Sequence, residues 1–267
     1  MIIRNVKVYT EEKEFRKGEI AIQDGRIKEV EYGESTQSKG NGSEEKVLDG
    51  EGCYAIPGLI DLHFHGCCGY DFCDGTKEAI AKIAEYEASI GVAAISPATM
   101  TLPVEELERI LAVAAEYKRE VQKETEASGH GTAADLVGVN MEGPFISEAK
   151  KGAQDERNII SCDTEICQRF LDASEGLVRF VGIAPERNEN AEEFIRKMKD
   201  KVHISLAHTN ADYDTAMAAF AAGADHAVHL YNAMPAFTHR NPGVVGAVSD
   251  SAHVNAEMIC DGIHIHP

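Results

Sequence analysis

Residues 59–66 read LIDLHFHG, an apolar run that ends in two histidines, and from here the chain settles into strand followed by helix, repeated. LIDLHFH precedes the helical TKEAIAKIAEYEASIG (76–91), and VAAISPATM (92–100) precedes PVEELERILAVAAEYKREVQKE (103–124). LVGVNMEGPF (136–145) leads, after a long loop, to DTEICQRFLDASEG (163–176), and VRFVGIAPE (178–186) to NAEEFIRKMKD (190–200). VHISLAHTN (202–210) leads to DYDTAMAAFAAG (212–223). DHAVHLYNAM (225–234) enters a Gly/Pro-rich loop, and AEMICDGIH (256–264) closes the series. The strands are continuous apolar runs, as expected when helices cover both faces of a sheet. Alternation at this spacing predicts a parallel sheet. No dinucleotide-type glycine fingerprint follows the first strand, which favours a (β/α)8-type, TIM-like barrel over an open doubly wound sheet. Seven of the eight strands are expected in these residues. The first also poses a chemical question. Side chains alternate along a strand, so His63 and His65 share a face opposite Phe64. Two imidazoles on a packed face need partners, either a metal ion or backbone groups bonded to each ring, and the motif alone leaves both open.

Upstream, MIIRNVKVYT and GEIAIQDGRIKEVEYG alternate apolar and polar residues, and QDG supplies a hairpin turn. Residues 33–46 form a polar Gly/Ser-rich loop, and VLDGEGCYAIPG returns to strand character. The expected organisation is a small β-domain over residues 1–58 and the barrel over 59–267. The chain has 267 residues with 45 acidic against 26 basic side chains, a formal charge of -19. Such a field repels nucleic acid and anionic membrane, so neither is an expected partner, and an anionic substrate needs a local basic pocket. The seven cysteines include no Cys-x-x-Cys pair and no regular framework, which predicts reduced thiols and a cytoplasmic setting. No signal-like start and no apolar stretch of transmembrane length is present.

His63, His65, Glu142, Glu186, His208, His229, Asp261 and His264 all fall at or just beyond predicted strand ends, which build the mouth of a β/α barrel. Singly, each has a plainer reading: a capping carboxylate, a satisfied core histidine, a loop ion pair. Glu186 is read as a structural partner of the adjacent Arg187, and Cys67 and Cys68 as packing residues. Together, one carboxylate and several imidazoles from strands 1, 3, 5 and 6 make a divalent site suited to zinc or iron.

The blocks PGLIDLHFHGCCGYDF, MEGPFISEAKKGAQ, LAHTNADYD, HLYNAMPAFTHRNPG and CDGIHIHP, in this order, resemble the amidohydrolase superfamily and, within it, the N-acetylglucosamine-6-phosphate deacetylase family. The resemblance implies metal-dependent hydrolysis of the acetamido group of N-acetylglucosamine 6-phosphate to glucosamine 6-phosphate and acetate, in amino-sugar catabolism or cell-wall recycling. It implies Glu142, His208 and His229 as ligands of a principal metal. His63 and His65 would hold a second ion that shares the acid, giving one or two divalent ions, zinc or iron. It implies substrate contacts from Ala153, Gln154, Asn232, Ala233, Arg240, Asp261 and His264, with Arg240 and His264 meeting the phosphate. Gln154 stands where some members carry histidine; it can donate a hydrogen bond but cannot titrate. The family's small β-domain is a sandwich completed by C-terminal strands, and its members form homodimers. Its general-base aspartate follows a block like DGIHIHP and is expected beyond Pro267, so no catalytic base is assigned within the chain. Two alternatives remain at this point: another amidohydrolase acting on a cyclic or linear amide, and an inactive metal-binding fragment.

Overall fold

The computed structural model describes residues 1–33, 46–128 and 131–266, so most of the Gly/Ser-rich loop lies outside the described residues. The chain divides into two compact units, Met1–Gly58 and Leu59–Pro267. The first unit is one five-stranded sheet: β1 (Ile2–Tyr9), β2 (Phe15–Gln23), β3 (Arg26–Tyr32), β4 (Val47–Asp49) and β5 (Tyr54–Ala55). β1 pairs antiparallel with β2 and parallel with β4 and β5. The β2–β3 hairpin turns at Asp24 and Gly25, both with positive φ (52° and 71°), the backbone of the tight two-residue turn that Asp-Gly favours. Val6, Val8 and Ile20 form its small core.

In the second unit the barrel strands are β6 (Leu59–Asp61), β9 (Val92–Ile95), β10 (Asp135–Leu136) with β11 (Val139–Phe145), β12 (Val178–Ile183), β13 (His203–Leu206), β14 (His226–Ala227) and β15 (Asn255–Ala256). A small hairpin, β7 (Gly66–Cys67) with β8 (Tyr70–Asp71), follows β6. Neighbours along the barrel are parallel and in chain order: β6–β9–β10, then β11–β12–β13–β14–β15. A parallel bridge between Ala98 and Asn140 links the two runs. Among the described residues β6 and β15 each have a single strand neighbour.

The helices α1 (Lys77–Ser89), α2 (Val104–Ser128), α3 (Thr164–Ala173), α4 (Ala191–Met198), α5 (Tyr213–Ala222) and α6 (Gly243–Ser249) fall between successive strands. Several start where the sequence supplies an N-cap oxygen. Thr76 accepts from Ala79, Asp163 from Glu165 and Ile166, and Asp212 from Thr215. The largest fully buried side chains, among them Phe145, Phe170 and Phe194, pack between strands and helices in one core.

Three strand expectations need correction. β15 stops at Ala256, the first residue of the expected run AEMICDGIH, so Asp261 and His264 lie in the loop beyond it and not at a strand end. β6 ends at Asp61, so His63 and His65 lie beyond the regular ladder, and strand alternation is not what aligns them. The backbone stays loosely paired, with Ser96 N–H donating to Asp61 O and Ala98 N–H to Phe64 O, while the Asp61 carboxylate accepts from His63 N–H. β14 is also shorter than the apolar run around it, because His229, Tyr231 and Ala233 adopt positive φ (29°, 78° and 53°) and turn the chain out of the sheet.

Candidate metal centre

Glu142 lies within β11, whose seven residues are all buried, and is itself 3% exposed. Such a carboxylate needs a dense set of partners. Its Oε1 stands 2.9 Å from His208 Nε2, 2.9 Å from His229 Nε2 and 3.3 Å from His63 Nε2. Its Oε2 is 3.3 Å from His65 Nε2 and accepts from Gln154 Nε2 at 2.6 Å. Two overlapping clusters result, Glu142–His208–His229 and His63–His65–Glu142, with the glutamate common to both. The histidines come from just beyond the C-terminal ends of β6, β13 and β14, which parallel pairing brings to one end of the sheet.

The arrangement fits a cation between the rings. His208 Nδ1 lies 2.8 Å from Lys150 O and His229 Nδ1 3.0 Å from Asn232 O. A carbonyl only accepts, so each Nδ1 carries a proton, and in the neutral ring Nε2 turns its lone pair to Glu142. His208 and His229 Nε2 also stand only 3.2 Å apart. Lone pairs crowded on a buried carboxylate repel one another, and several buried imidazoliums would repel one another too. One divalent ion resolves both problems. Donors bonded to one tetrahedral zinc at ~2.0–2.1 Å lie roughly 3.3 Å apart, close to the spacings seen here. His65 Nδ1 is buried with no hydrogen-bond partner among the described residues.

Electrostatics follow the same geometry. Burial alone would raise the Glu142 pKa, but the His208 and His229 rings, then His63 and His65, hold it far below the carboxylate range. Burial alone would lower the His63 pKa, yet Glu142 and Glu257 push it up to about 10. A divalent ion would take that proton's place.

The remaining residues singled out in the sequence fall into three groups. Gln154 is 3% exposed; besides donating to Glu142 it accepts from Thr101 N–H at 2.6 Å, so both ends of its amide are fixed. Asn232 and Ala233 act here through their backbones, Asn232 O on His229 Nδ1 and Ala233 O accepting from Thr209 N–H at 3.1 Å. Ala153, Arg240, Asp261 and His264 are exposed, and Asp261 is bonded to His264, Oδ2 to Nδ1, at 2.6 Å. The backbone N–H groups of His264 and Ile263, then the His264 ring, pull the Asp261 pKa down to about 2.

Glu186 does not pair with Arg187. Arg187 forks onto Glu148, its Nη2 at 2.7 Å, whereas Glu186 accepts from Thr209 Oγ1 at 2.5 Å and Asn210 N–H at 2.6 Å. Adjacent side chains in the short helical turn Pro185–Arg187 point apart, which separates the two. Glu186 therefore ties down the segment after His208. Glu186→Ala is expected to cost about 1 kcal/mol in urea unfolding, because its acceptors are partly solvated. Arg187→Ala should leave the contacts of that segment unchanged, which a crystal structure of each variant checks.

One residue at the centre was missed in the sequence. Glu257, directly after β15, places Oε2 2.7 Å from His63 Nδ1. Its signal in the sequence is the one that marks the other candidates, an acid at a strand end, in the same stretch as Asp261 and His264.

Residues 54–267 match the model of the amidohydrolase family, and the chain belongs to that family. It is 32% identical over its whole length to N-acetylglucosamine-6-phosphate deacetylase of Bacillus subtilis (strain 168), of which it spans 65%. To N-acetylgalactosamine-6-phosphate deacetylase of Escherichia coli O157:H7 it is 31% identical over its whole length, spanning 66% of that protein. A solved structure of an N-acetyl-D-glucosamine-6-phosphate deacetylase mutant from Mycobacterium smegmatis, in complex with N-acetyl-D-glucosamine-6-phosphate, superposes with TM-score 0.83 at 29% identity. It covers 99% of this chain and 64% of its own. The chain thus spans about two thirds of the length of these relatives. No helix among the described residues is long and apolar enough to cross a membrane.

Proposed function

We propose that this chain carries the metal centre of an N-acetylglucosamine-6-phosphate deacetylase, a hydrolase that releases acetate from the 2-acetamido group and leaves glucosamine 6-phosphate. The observation that carries the reading is a buried carboxylate, Glu142, ringed by four imidazoles. Glu142, His208 and His229 would hold one divalent ion and His63, His65 and Glu142 a second, with zinc or iron suited to this mixed nitrogen and oxygen set. Such an ion supplies Lewis acidity, which activates water near neutral pH and polarises a carbonyl. The chain's own residues prepare the place. Lys150 O and Asn232 O fix the ring orientations of His208 and His229, Gln154 donates to the Glu142 carboxylate, and Thr101 Oγ1 donates to the Glu142 backbone carbonyl. Arg240 would meet the sugar phosphate from the loop before α6, with Asp261 and His264 on the loop after β15. Ala153, Asn232 and Ala233 would complete the substrate wall. A cytoplasmic homodimer fits amino-sugar catabolism and the seven free cysteines.

The test is acetate release from N-acetylglucosamine 6-phosphate by the metal-loaded full-length protein, which would carry the aspartate expected beyond Pro267, run beside the galactosamine epimer because one relative is named for it. Release from the first with a clear preference supports the reading. Release from neither, with metal bound, sinks it in favour of another amide substrate or a binding role. A lysine bridging two ions would favour a different amidohydrolase, but here the acid common to the two clusters is Glu142.

A further inference from the structure

We infer that Glu257 is the positioning residue that makes His63 a ligand, so that occupancy of the His63–His65–Glu142 position depends on it while the Glu142–His208–His229 position does not. The inference rests on the metal-centre part of the reading above.

The four imidazoles differ in what stands behind them. His208 and His229 each donate Nδ1–H to a backbone carbonyl, His65 Nδ1 has no partner among the described residues, and His63 Nδ1 meets a carboxylate at 2.7 Å. A carboxylate behind a ligating histidine fixes the ring and its tautomer and makes the facing nitrogen a stronger donor. Glu257 is well placed for this. Its side chain is 12% exposed, and its Oε1 accepts from Asn140 Nδ2 at 3.0 Å. Asn140 also donates to Leu62 O at 3.2 Å, tying the carboxylate to the backbone just before His63. The backbone of Glu257 is pinned as well: its N–H donates to Ala227 O at 2.9 Å and its carbonyl accepts from Leu230 N–H at 2.8 Å. The His226 ring stands 3.5 Å from Oε1, and His226 Nδ1 lies 2.8 Å from Ser205 Oγ. A chain of polar contacts thus runs from β13 through β14 and β15 to His63, on the far side of His63 from Glu142. The contact of Glu257 with the other cluster is slight, a backbone N–H of His229 at 3.4 Å.

The experiment is zinc titration against a competing chelator, with cobalt absorption spectra as a second readout. It compares wild type, His63→Ala, Glu257→Ala and the isosteric Glu257→Gln. Glu257→Ala is expected to weaken, by about 10- to 100-fold, the same equivalent that His63→Ala removes, and to leave the other within a few-fold of wild type. Glu257→Gln, whose carbonyl still accepts from Nδ1–H, should recover much of that loss; it also serves if the alanine variant does not fold. Unchanged titration in both Glu257 variants overturns the inference, as does equal weakening of the two equivalents with no rescue by glutamine. A His63→Ala protein that titrates like wild type overturns it too. Because the readout is metal and not acetate, a protein that binds two ions but hydrolyses no sugar phosphate would sink the proposed function and leave this inference standing.

Discussion

Glu142→Ala is expected to strip the protein of metal altogether, because Glu142 is the acid common to both ligand clusters. A neighbour cannot substitute for it. Glu257, which also reaches this constellation, has Oε2 on the outer nitrogen of His63 and Oε1 on Asn140. Elemental analysis after dialysis should find metal at background in Glu142→Ala. The double change His208→Ala, His229→Ala should remove the first equivalent, and His63→Ala only the second. Activity should fall with the metal. Metal assistance contributes several kcal/mol to hydrolysis of this kind, which at ~1.4 kcal/mol per factor of ten means a loss of more than about a thousandfold. The variant should stay folded by circular dichroism, since its loss also relieves the burial of a charge. Equal metal content in wild type and in all of these variants would remove the site as drawn.

How far the chain could be read in advance depends on range. Local signals are the clearest: Asp24–Gly25 makes the hairpin expected of QDG, and Thr76, Asp163 and Asp212, at the starts of the expected helical segments, cap the helices they precede. Each acts within a few residues, so the sequence carries the whole cause. Strand ends were less legible. The apolar runs through His63 and His229 continue past the ladder, and around His229 the segment 226–230 is itself buried, so hydrophobicity does not mark where pairing stops. His208 and His229 sit at φ of 43° and 29°, a backbone region that costs a non-glycine residue ~1–3 kcal/mol and that local propensity would not predict. Strand alternation predicts that His63 and His65 share a face, and the family resemblance that they share Glu142, whereas in the structure both rings reach the acid from a loop held by Asp61 and Ala98. Glu257 and Glu186 show the limit most clearly. Each acts on a segment distant in sequence, 194 and 23 residues away at His63 and Thr209, and only the folded sheet brings them there.

Arg240→Ala is expected to slow hydrolysis of N-acetylglucosamine 6-phosphate by about ten- to a hundredfold in kcat/KM, and to change that of unphosphorylated N-acetylglucosamine little. With a net charge of -19 the molecule as a whole repels a sugar phosphate, so a local cation has to overcome the field. Arg240 is exposed and makes no ion pair among the described residues, in a chain where many arginines are already forked onto carboxylates, as Arg169 is on Glu108 and Arg187 on Glu148. Its loop is held in shape by Thr238 and Asn241, whose backbone and hydroxyl groups bond across the turn at 3.1–3.3 Å. The guanidinium therefore stands on a defined turn with its donors uncommitted. His264, the other group assigned to the phosphate, has Nδ1 bound to Asp261, which leaves Nε2 as its one free ring position. A permanently charged, planar fork is the better phosphate ligand of the two. Losing a hydrogen bond to a charged group costs ~1.5–3 kcal/mol, which sets the fold-change above. The assay compares both sugars on the assembled protein, since a dimer partner is part of the proposal, and Arg240→Lys should recover part of the phosphate-dependent rate through its point charge. A loss that is equal for the two sugars would mean that Arg240 acts through folding or assembly, and the phosphate assignment would fall.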